Sequence, residues 1–126
     1  MQIKGSVFVV TGAASGLGLA TAEMAIAEGG RVVLADMNLE AGQSAAKRLG
    51  NNALFHQTNV ADDSSARACI NAAVQQFGAI HGLVNCAGIA PAEKVLGKEG
   101  PHGLDSFAKV VTVNLIGTFN MIRLAA

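Results

Sequence analysis

Short apolar runs alternate with longer segments of mixed polarity along most of the chain. Runs without polar interruption are typical of parallel strands buried on both faces, and they lie at Val7–Val10, Val32–Ala35, Ala53–Phe55 and Gly82–Val84. The Ala-rich segments between them have helical length and span Gly16–Glu28, Leu39–Leu49 and Ser64–Phe77. Strands that alternate with helices in this way predict an α/β fold built on a parallel sheet.

Two further segments complete the pattern. Pro91, Pro101 and several glycines mark residues 90–104 as one long connection, and a connection of this length is usually functional or mobile. Asp105 to Ala126 is predicted to form one long helix. The face expected to lie on the sheet comprises Leu104, Phe107, Val110, Val111, Asn114, Thr118, Met121, Ile122 and Ala125. Other apolar residues fall off that face, so the helix should be covered on a second side as well.

Composition narrows the function classes. A chain of 126 residues that is 51% hydrophobic and 14% charged is expected to fold as one domain. Nine basic residues balance nine acidic ones, so nucleic acid is not an expected partner. No apolar stretch has the length of a membrane span, and the first strand leaves no room for a leader, which predicts a cytoplasmic location. Cysteines and histidines lack metal-ligand spacing, so no metal site is expected.

A glycine-rich turn, TGAASGLG at residues 11–18, joins the first strand to the first helix. Gly12 permits a tight turn, Gly16 permits close backbone approach to a pyrophosphate, and Gly18 permits close packing of helix on strand. The helix that begins here offers unpaired N–H groups and the positive end of its dipole to a phosphate. Glycines also serve ordinary turns, but this order of strand, turn and helix favours phosphate binding.

Asp36 stands at the end of the second predicted strand. A carboxylate at this place can accept hydrogen bonds from both hydroxyls of an adenosine ribose, and its charge repels a 2′-phosphate. Ser15 and Met37 carry no positive charge that would compensate. The sequence therefore favours NAD over NADP, with an ordinary solvated aspartate as the alternative.

Polar residues also follow the third and fourth strands. The side-chain oxygen of Asn59 could accept from an adenine amino group while Val60 packs on the ring, and Asn85 begins the segment NCAG. Parallel strands end at one edge of a sheet, so these residues are expected to rim the same cleft. Either asparagine could instead form a turn. Asn114, if buried, needs a backbone, water or partner group for its amide, which is compatible with a structural and with a catalytic role.

Together these features resemble the short-chain dehydrogenase/reductase family. The matching segments are TGAASGLG at 11–18, Asp36, NCAG at 85–88 and Asn114 within VTVNLIGTF. The resemblance implies a doubly wound parallel sheet of the Rossmann type, partial here, with strands equivalent to the order 3-2-1-4. The segment from residue 85 onward resembles the type II 3-hydroxyacyl-CoA dehydrogenase branch most.

The resemblance also implies roles for individual residues. The pyrophosphate and its ribose would be held by Gly12, Ser15, Gly16, Leu17 and Gly18; the adenosine ribose by Asp36; the adenine by Asn59 and Val60; and the ribose and nicotinamide side by Asn85, Ala87 and Gly88. Asn114 would be the catalytic asparagine that positions a water in a proton relay. Two departures are Asn59, where the family often has Asp, and Cys86, where it usually has Asn.

The relay residues Ser, Tyr and Lys of the family lie beyond the last predicted helix, and this chain contains no Tyr. Residues 1–126 are therefore expected to form an NAD-binding Rossmann domain, truncated before that catalytic segment. The implied parent transfers a hydride between NAD and a secondary alcohol or ketone, with a 3-hydroxyacyl-CoA as the expected substrate, whereas the chain alone should be inactive. The alternative is a non-catalytic dinucleotide-binding or assembly module. The apolar helix Asp105–Ala126 would then form a homo-oligomer or pair with the missing C-terminal half.

Overall fold

A computed structural model describes residues 1–126. The strands are β1 (Val7–Thr11), β2 (Arg31–Asp36), β3 (Ala53–Gln57), β4 (Gly82–Asn85), β5 (Leu96–Gly97) and β6 (Gly100–Pro101). The helices are α1 (Gly16–Ala27), α2 (Leu39–Leu49), α3 (Asp63–Phe77), α4 (Leu104–Val111) and α5 (Gly117–Ala125). A π-helical turn, Thr112–Ile116, joins α4 to α5.

The main sheet confirms the predicted α/β architecture. Its four strands are parallel and lie in the order β3-β2-β1-β4. The central strand β1 is buried along its whole length because helices cover both faces of the sheet. On one face Val10 and Leu34 pack with Ala22 of α1, and on the other Val9 and Val33 pack with Met121 of α5. The result is a partial doubly wound sheet of the Rossmann type.

The connection over residues 90–104 is more ordered than the sequence indicated. It contains the short antiparallel hairpin of β5 and β6, and Glu93 ties it to the start of α4. One carboxylate oxygen of Glu93 accepts from the Ser106 hydroxyl at 2.8 Å, and the other accepts from the Gly103 N–H at 3.2 Å. His102 lies 3.4 Å from the same carboxylate.

The last helix differs from its prediction in two respects. It is interrupted by the π-helical turn, whose extra residue rotates α5 relative to α4. The buried face therefore agrees with the predicted one only in part. Met121 is buried as predicted, together with Gly117 and Asn120, which were not predicted, whereas Leu104 is 78% exposed and Phe107 is 56% exposed. The prediction that Leu104 and Phe107 lie on the sheet is therefore wrong. Apolar residues off the predicted face are uncovered as well, since Leu115, Ile116 and Phe119 are exposed.

No helix of the structure is both long enough and apolar enough to traverse a bilayer.

Candidate functional site

A cleft of about 460 Å³ opens where the main-sheet strands end. It brings together every predicted cofactor residue except Asn85. Those that line it are Gly12, Ser15, Gly16, Leu17, Gly18, Asp36, Asn59, Val60, Ala87 and Gly88. Residues that the sequence did not single out complete the walls: Ala35, Met37, Thr58, Cys86, Ile89 and Val113.

The glycine turn is shaped by two close backbone approaches. A Cβ on Gly18 would lie inside the contact distance of the Gly12 carbonyl oxygen. A Cβ on Gly12 would lie 2.8 Å from the Ala87 nitrogen, and the Gly12 φ of +64° also favours glycine. Ser15 makes no side-chain cap on α1, so the first-turn N–H groups of this helix are left available at the cleft.

Thr11 fastens the two central strand ends to each other. Its hydroxyl is fully buried and accepts from the N–H groups of Cys86 and Ala87, both at 3.1 Å. No separate role was predicted for Thr11, although it is the first residue of the TGAASGLG segment. Because its hydrogen-bond partners follow β4, only the paired strands reveal the contact.

Asp36 is held in place by backbone groups on two sides. Its Oδ2 accepts from the Ala14 N–H at 3.0 Å, and its Oδ1 accepts from the Asn38 N–H at 2.9 Å. Each carboxylate oxygen can accept further hydrogen bonds, so the group can still receive hydroxyl donors from a ligand. Met37 beside it is 63% exposed, and no lysine or arginine lines the cleft.

Asn59 and Val60 begin the loop between β3 and α3. The Asn59 side-chain oxygen accepts from the Ala61 N–H at 3.0 Å, and the backbone N–H of Asn59 donates to the Ser65 hydroxyl at 2.9 Å. One acceptor position of the Asn59 amide oxygen therefore remains unfilled. Val60 is buried to 7% exposure and forms an apolar wall of the cleft.

Asn85 and Asn114 do not line this cleft. Asn85 pairs with Thr11 in the sheet and lines a separate cavity, to which Ile122 and Ala125 of α5 also contribute. Asn114 is exposed rather than buried, and its amide is occupied by the backbone of Ile89. Its Oδ1 accepts from the Ile89 N–H and its Nδ2 donates to the Ile89 carbonyl, both at 2.8 Å. Asn114 thus lies behind two residues of the cleft lining, Ile89 and Gly88.

The charged and thiol groups around the cleft are few. Burial raises the pKa of the Cys69 thiol behind the wall, partly offset by a hydrogen bond with Thr58. At the start of α3, hydrogen bonding from Arg67, and more weakly from Arg123, holds the pKa of Asp63 below its usual range. No group of three or more His, Cys, Asp and Glu side chains is placed to hold a metal ion.

The family model for short chain dehydrogenases matches residues 6–126. The chain belongs to the short-chain dehydrogenase family. This membership confirms the resemblance drawn from the glycine turn, Asp36, the NCAG segment and Asn114.

Several curated relatives of this short-chain dehydrogenase chain match it along nearly all of its length. The human 3-hydroxyacyl-CoA dehydrogenase type-2 is 46% identical over 127 residues, which cover 99% of this chain and 49% of the relative. The Drosophila melanogaster protein of that name is 42% identical, covering 99% of this chain and 50% of the relative. A D-threitol dehydrogenase of Mycolicibacterium smegmatis is 36% identical over 128 residues, covering 97% and 46%. The chain therefore spans about half the length of these relatives.

The groups that line the cleft of this short-chain dehydrogenase chain are suited to binding a ligand more than to transferring protons. It combines one carboxylate, an uncapped helix N-terminus and apolar walls. A helix N-terminus attracts phosphate, and a carboxylate between two strand ends can receive sugar hydroxyls. These groups suit an uncharged ribose on one side of Asp36 and a pyrophosphate over the glycine turn.

Proposed function

We propose that this chain binds NAD in the cleft above β1, β2 and β4. The observation that carries the proposal is the placement of Asp36. Backbone N–H groups fix its carboxylate beside the glycine turn, and no cationic side chain lines the cleft. An adenosine ribose with free hydroxyls satisfies this carboxylate, whereas the 2′-phosphate of NADP would meet uncompensated negative charge.

The shape of the cleft supports an orientation for the cofactor. The pyrophosphate lies over Gly12, Ser15, Gly16, Leu17 and Gly18, at the N-terminus of α1. The adenine lies against Val60, with its amino group toward the Asn59 side-chain oxygen. The nicotinamide half extends past Ala87 and Gly88, where Asn114 holds the adjoining Ile89 backbone. Asn85 lies at the same end of the sheet, paired with Thr11, but outside the cleft lining.

Titration calorimetry with NAD and NADP tests the cofactor proposal. We expect the chain to bind NAD at least tenfold more tightly than NADP, because like charges in contact at the 2′ position repel by about 1–4 kcal/mol, and about 1.4 kcal/mol is a tenfold change in affinity. Equal affinities for both dinucleotides would overturn the assignment to Asp36.

We infer further that the parent enzyme transfers a hydride between NAD and a secondary alcohol or ketone, with a 3-hydroxyacyl-CoA as the substrate. The names of the 3-hydroxyacyl-CoA dehydrogenase type-2 relatives support this substrate class. Bound NAD supplies the hydride acceptor. This chain binds and orients the dinucleotide, and Asn114 fixes the wall beside the reacting end, where the family places a water of the proton relay.

For the 126-residue chain alone we propose no turnover. The acid/base residue of the family is a tyrosine, and this sequence contains none. An assay of NADH formation from a 3-hydroxyacyl-CoA should show no rate above background with this chain, and activity with an intact parent. Turnover by the purified 126-residue chain would contradict the first expectation, and an inactive parent would contradict the substrate.

A second candidate function is assembly through the last helix. Phe119 is 63% exposed, Leu115 is 66% exposed and Ile122 is 49% exposed, in addition to Leu104 and Phe107. Exposed apolar surface on one helix marks an interaction site more often than isolated exposed residues do. We propose that this face, Leu104–Ile122, pairs with a second copy of the chain or with further sequence of the parent. A cytoplasmic location remains a prediction of the sequence.

A further inference from the structure

The helix α5 is bonded to the loop that forms the adenine side of the cleft. Asn120 is only 6% exposed, and its Nδ2 donates to the Val60 carbonyl oxygen at 2.8 Å. This bond is buried and joins residues that are 60 positions apart in the sequence. It is separate from the bond pair that Asn114 makes with Ile89.

Close backbone packing supports the same contact. A Cβ on Gly117 would lie 2.5 Å from Cγ2 of Val60, so the Val60 side chain packs directly against the backbone at the start of α5. Val60 in turn lines the cleft on its other side. The position of this apolar wall is therefore set from behind by Gly117 and Asn120.

The orientation of the Asn120 amide is fixed by a second bond. Its Oδ1 accepts from Nε of Arg123 at 3.0 Å, while the guanidinium of Arg123 also pairs with Asp63 at the start of α3. Because the amide oxygen is occupied by a donor, the amide nitrogen is directed to the Val60 carbonyl. Removing the amide nitrogen would leave that buried carbonyl without a partner, which favours movement of the loop.

We infer that Asn120 is a positioning residue that holds Val60 against the adenine of the bound dinucleotide, with Arg123 orienting its amide. The inference rests on the proposed binding of NAD. It assigns a role in cofactor binding to a side chain that does not touch the cleft. Asn114 lies in the π-helical turn just before α5, so two consecutive segments of the chain bind the backbone at the two ends of the cleft.

Ligand-observed NMR titrations of the 126-residue chain with ADP-ribose and with nicotinamide mononucleotide test this role. Asn120→Asp keeps the size of the side chain but loses the amide donor. We expect it to weaken ADP-ribose binding about three- to tenfold, as for the loss of one buried hydrogen bond. Binding of nicotinamide mononucleotide, which lacks adenine, should change less than about twofold.

Two further variants separate positioning from folding. Arg123→Ala removes the orienting group from a more exposed site and should shift ADP-ribose affinity in the same direction by a smaller factor. Arg48→Ala, which breaks the comparable Arg48–Glu23 pair on the opposite face of the sheet, should leave both affinities unchanged. Circular dichroism melts report the folded fraction of each variant.

The possible outcomes are distinct. Equal weakening of both ligands by Asn120→Asp would overturn the inference, because a reduced folded fraction lowers every apparent affinity by one factor. Unchanged ADP-ribose binding in Asn120→Asp and Arg123→Ala would also overturn it. If the unmodified chain binds neither ligand, the proposed function itself fails and the inference falls with it.

Discussion

Four polar side chains around the cleft each bind the backbone of a distant segment. Thr11 binds the N–H groups after β4, Asp36 binds the glycine turn, and Asn114 and Asn120 bind the Ile89 and Val60 backbones. Buried or partly buried backbone groups need such partners. The walls of the cleft are therefore fixed before any ligand arrives.

The sequence predicted these residues unevenly, for a physical reason. Asp36 and the glycines were predicted to lie at one cleft because that placement follows from a local order of strand, turn and helix, and they do line it. Thr11 and Asn120 were not found, since their partners lie 75 and 60 residues away and the contacts exist only after the strands and helices pack. Asn114 is exposed, and of the partners considered for its amide the structure shows the backbone, that of Ile89; its catalytic role stays a prediction.

Gly18→Ala should destabilise the chain by about 1–3 kcal/mol, because the added methyl group would press on the Gly12 carbonyl oxygen. Urea unfolding followed by circular dichroism measures this effect. Gly97→Ala is the matched control, since Gly97 is exposed, has no positive φ, and its Cβ would meet only the Gly100 carbonyl oxygen at an ordinary 3.6 Å; it should shift stability by less than about 0.5 kcal/mol. Similar losses for both variants would contradict the close-packing account of Gly18.

The last helix shows how an irregular turn changes what a helix presents to its neighbours. A regular 3.6-residue period predicted that Leu104, Phe107 and Ile122 would face the sheet. The π-helical turn rotates the second half of the helix, so that Asn120, which was not predicted to face the sheet, is buried beside Met121, which was. The sequence period carries no sign of the extra residue, because a π turn is selected by the contacts it permits on either side.

The hairpin connection depends on one carboxylate. The Ser106 hydroxyl, the Gly103 N–H and the nearby His102 hold the pKa of Glu93 below its usual value of 4.5. The unfolded connection therefore binds more protons in acid, so the stabilisation is present above that usual value and is lost as pH falls through the lowered one.

Glu93→Gln should reduce the amide hydrogen-exchange protection of residues 94–103 at neutral pH, as acid does in the unmodified chain. The variant should then lose little more protection when acidified. Glu99→Gln, in the same connection and without such bonds, is the control and should keep the normal pH response. Identical protection profiles for Glu93→Gln and the unmodified chain would show that the Glu93 carboxylate does not stabilise this connection.

In the molecule as a whole, helices cover both faces of the main sheet, whereas the outer face of the last helices is exposed to solvent. Both faces of β1 are buried, which the sequence predicted from uninterrupted apolar strands. The outer face of α4 and α5 keeps several large apolar side chains in solvent. Association through that face would remove them from water, which is the main driving force for protein assembly.

Phe119→Ser should therefore weaken self-association, because it removes a large exposed aromatic side chain from the proposed contact. Light scattering over about a hundredfold concentration range should show association of the unmodified chain and at least about tenfold weaker association of the variant. Met24→Ser is the control, since Met24 is 49% exposed on α1, which covers the opposite face of the sheet. A concentration-independent monomer in the unmodified chain would remove the assembly proposal.

The central claim is that the cleft binds NAD through Asp36, and calorimetric titration of NAD into the unmodified chain, Asp36→Asn and the control Asp105→Asn tests it most directly. Asp105 is exposed at the start of α4, outside the cleft. The Asp36→Asn variant loses charge-assisted hydrogen bonds to the ribose, so it should bind NAD about tenfold or more weakly than the unmodified chain. The ratio of its affinities for NAD and NADP should also be smaller. The control should bind as the unmodified chain does. NAD binding that is absent from the unmodified chain, or unchanged by Asp36→Asn, would contradict the account.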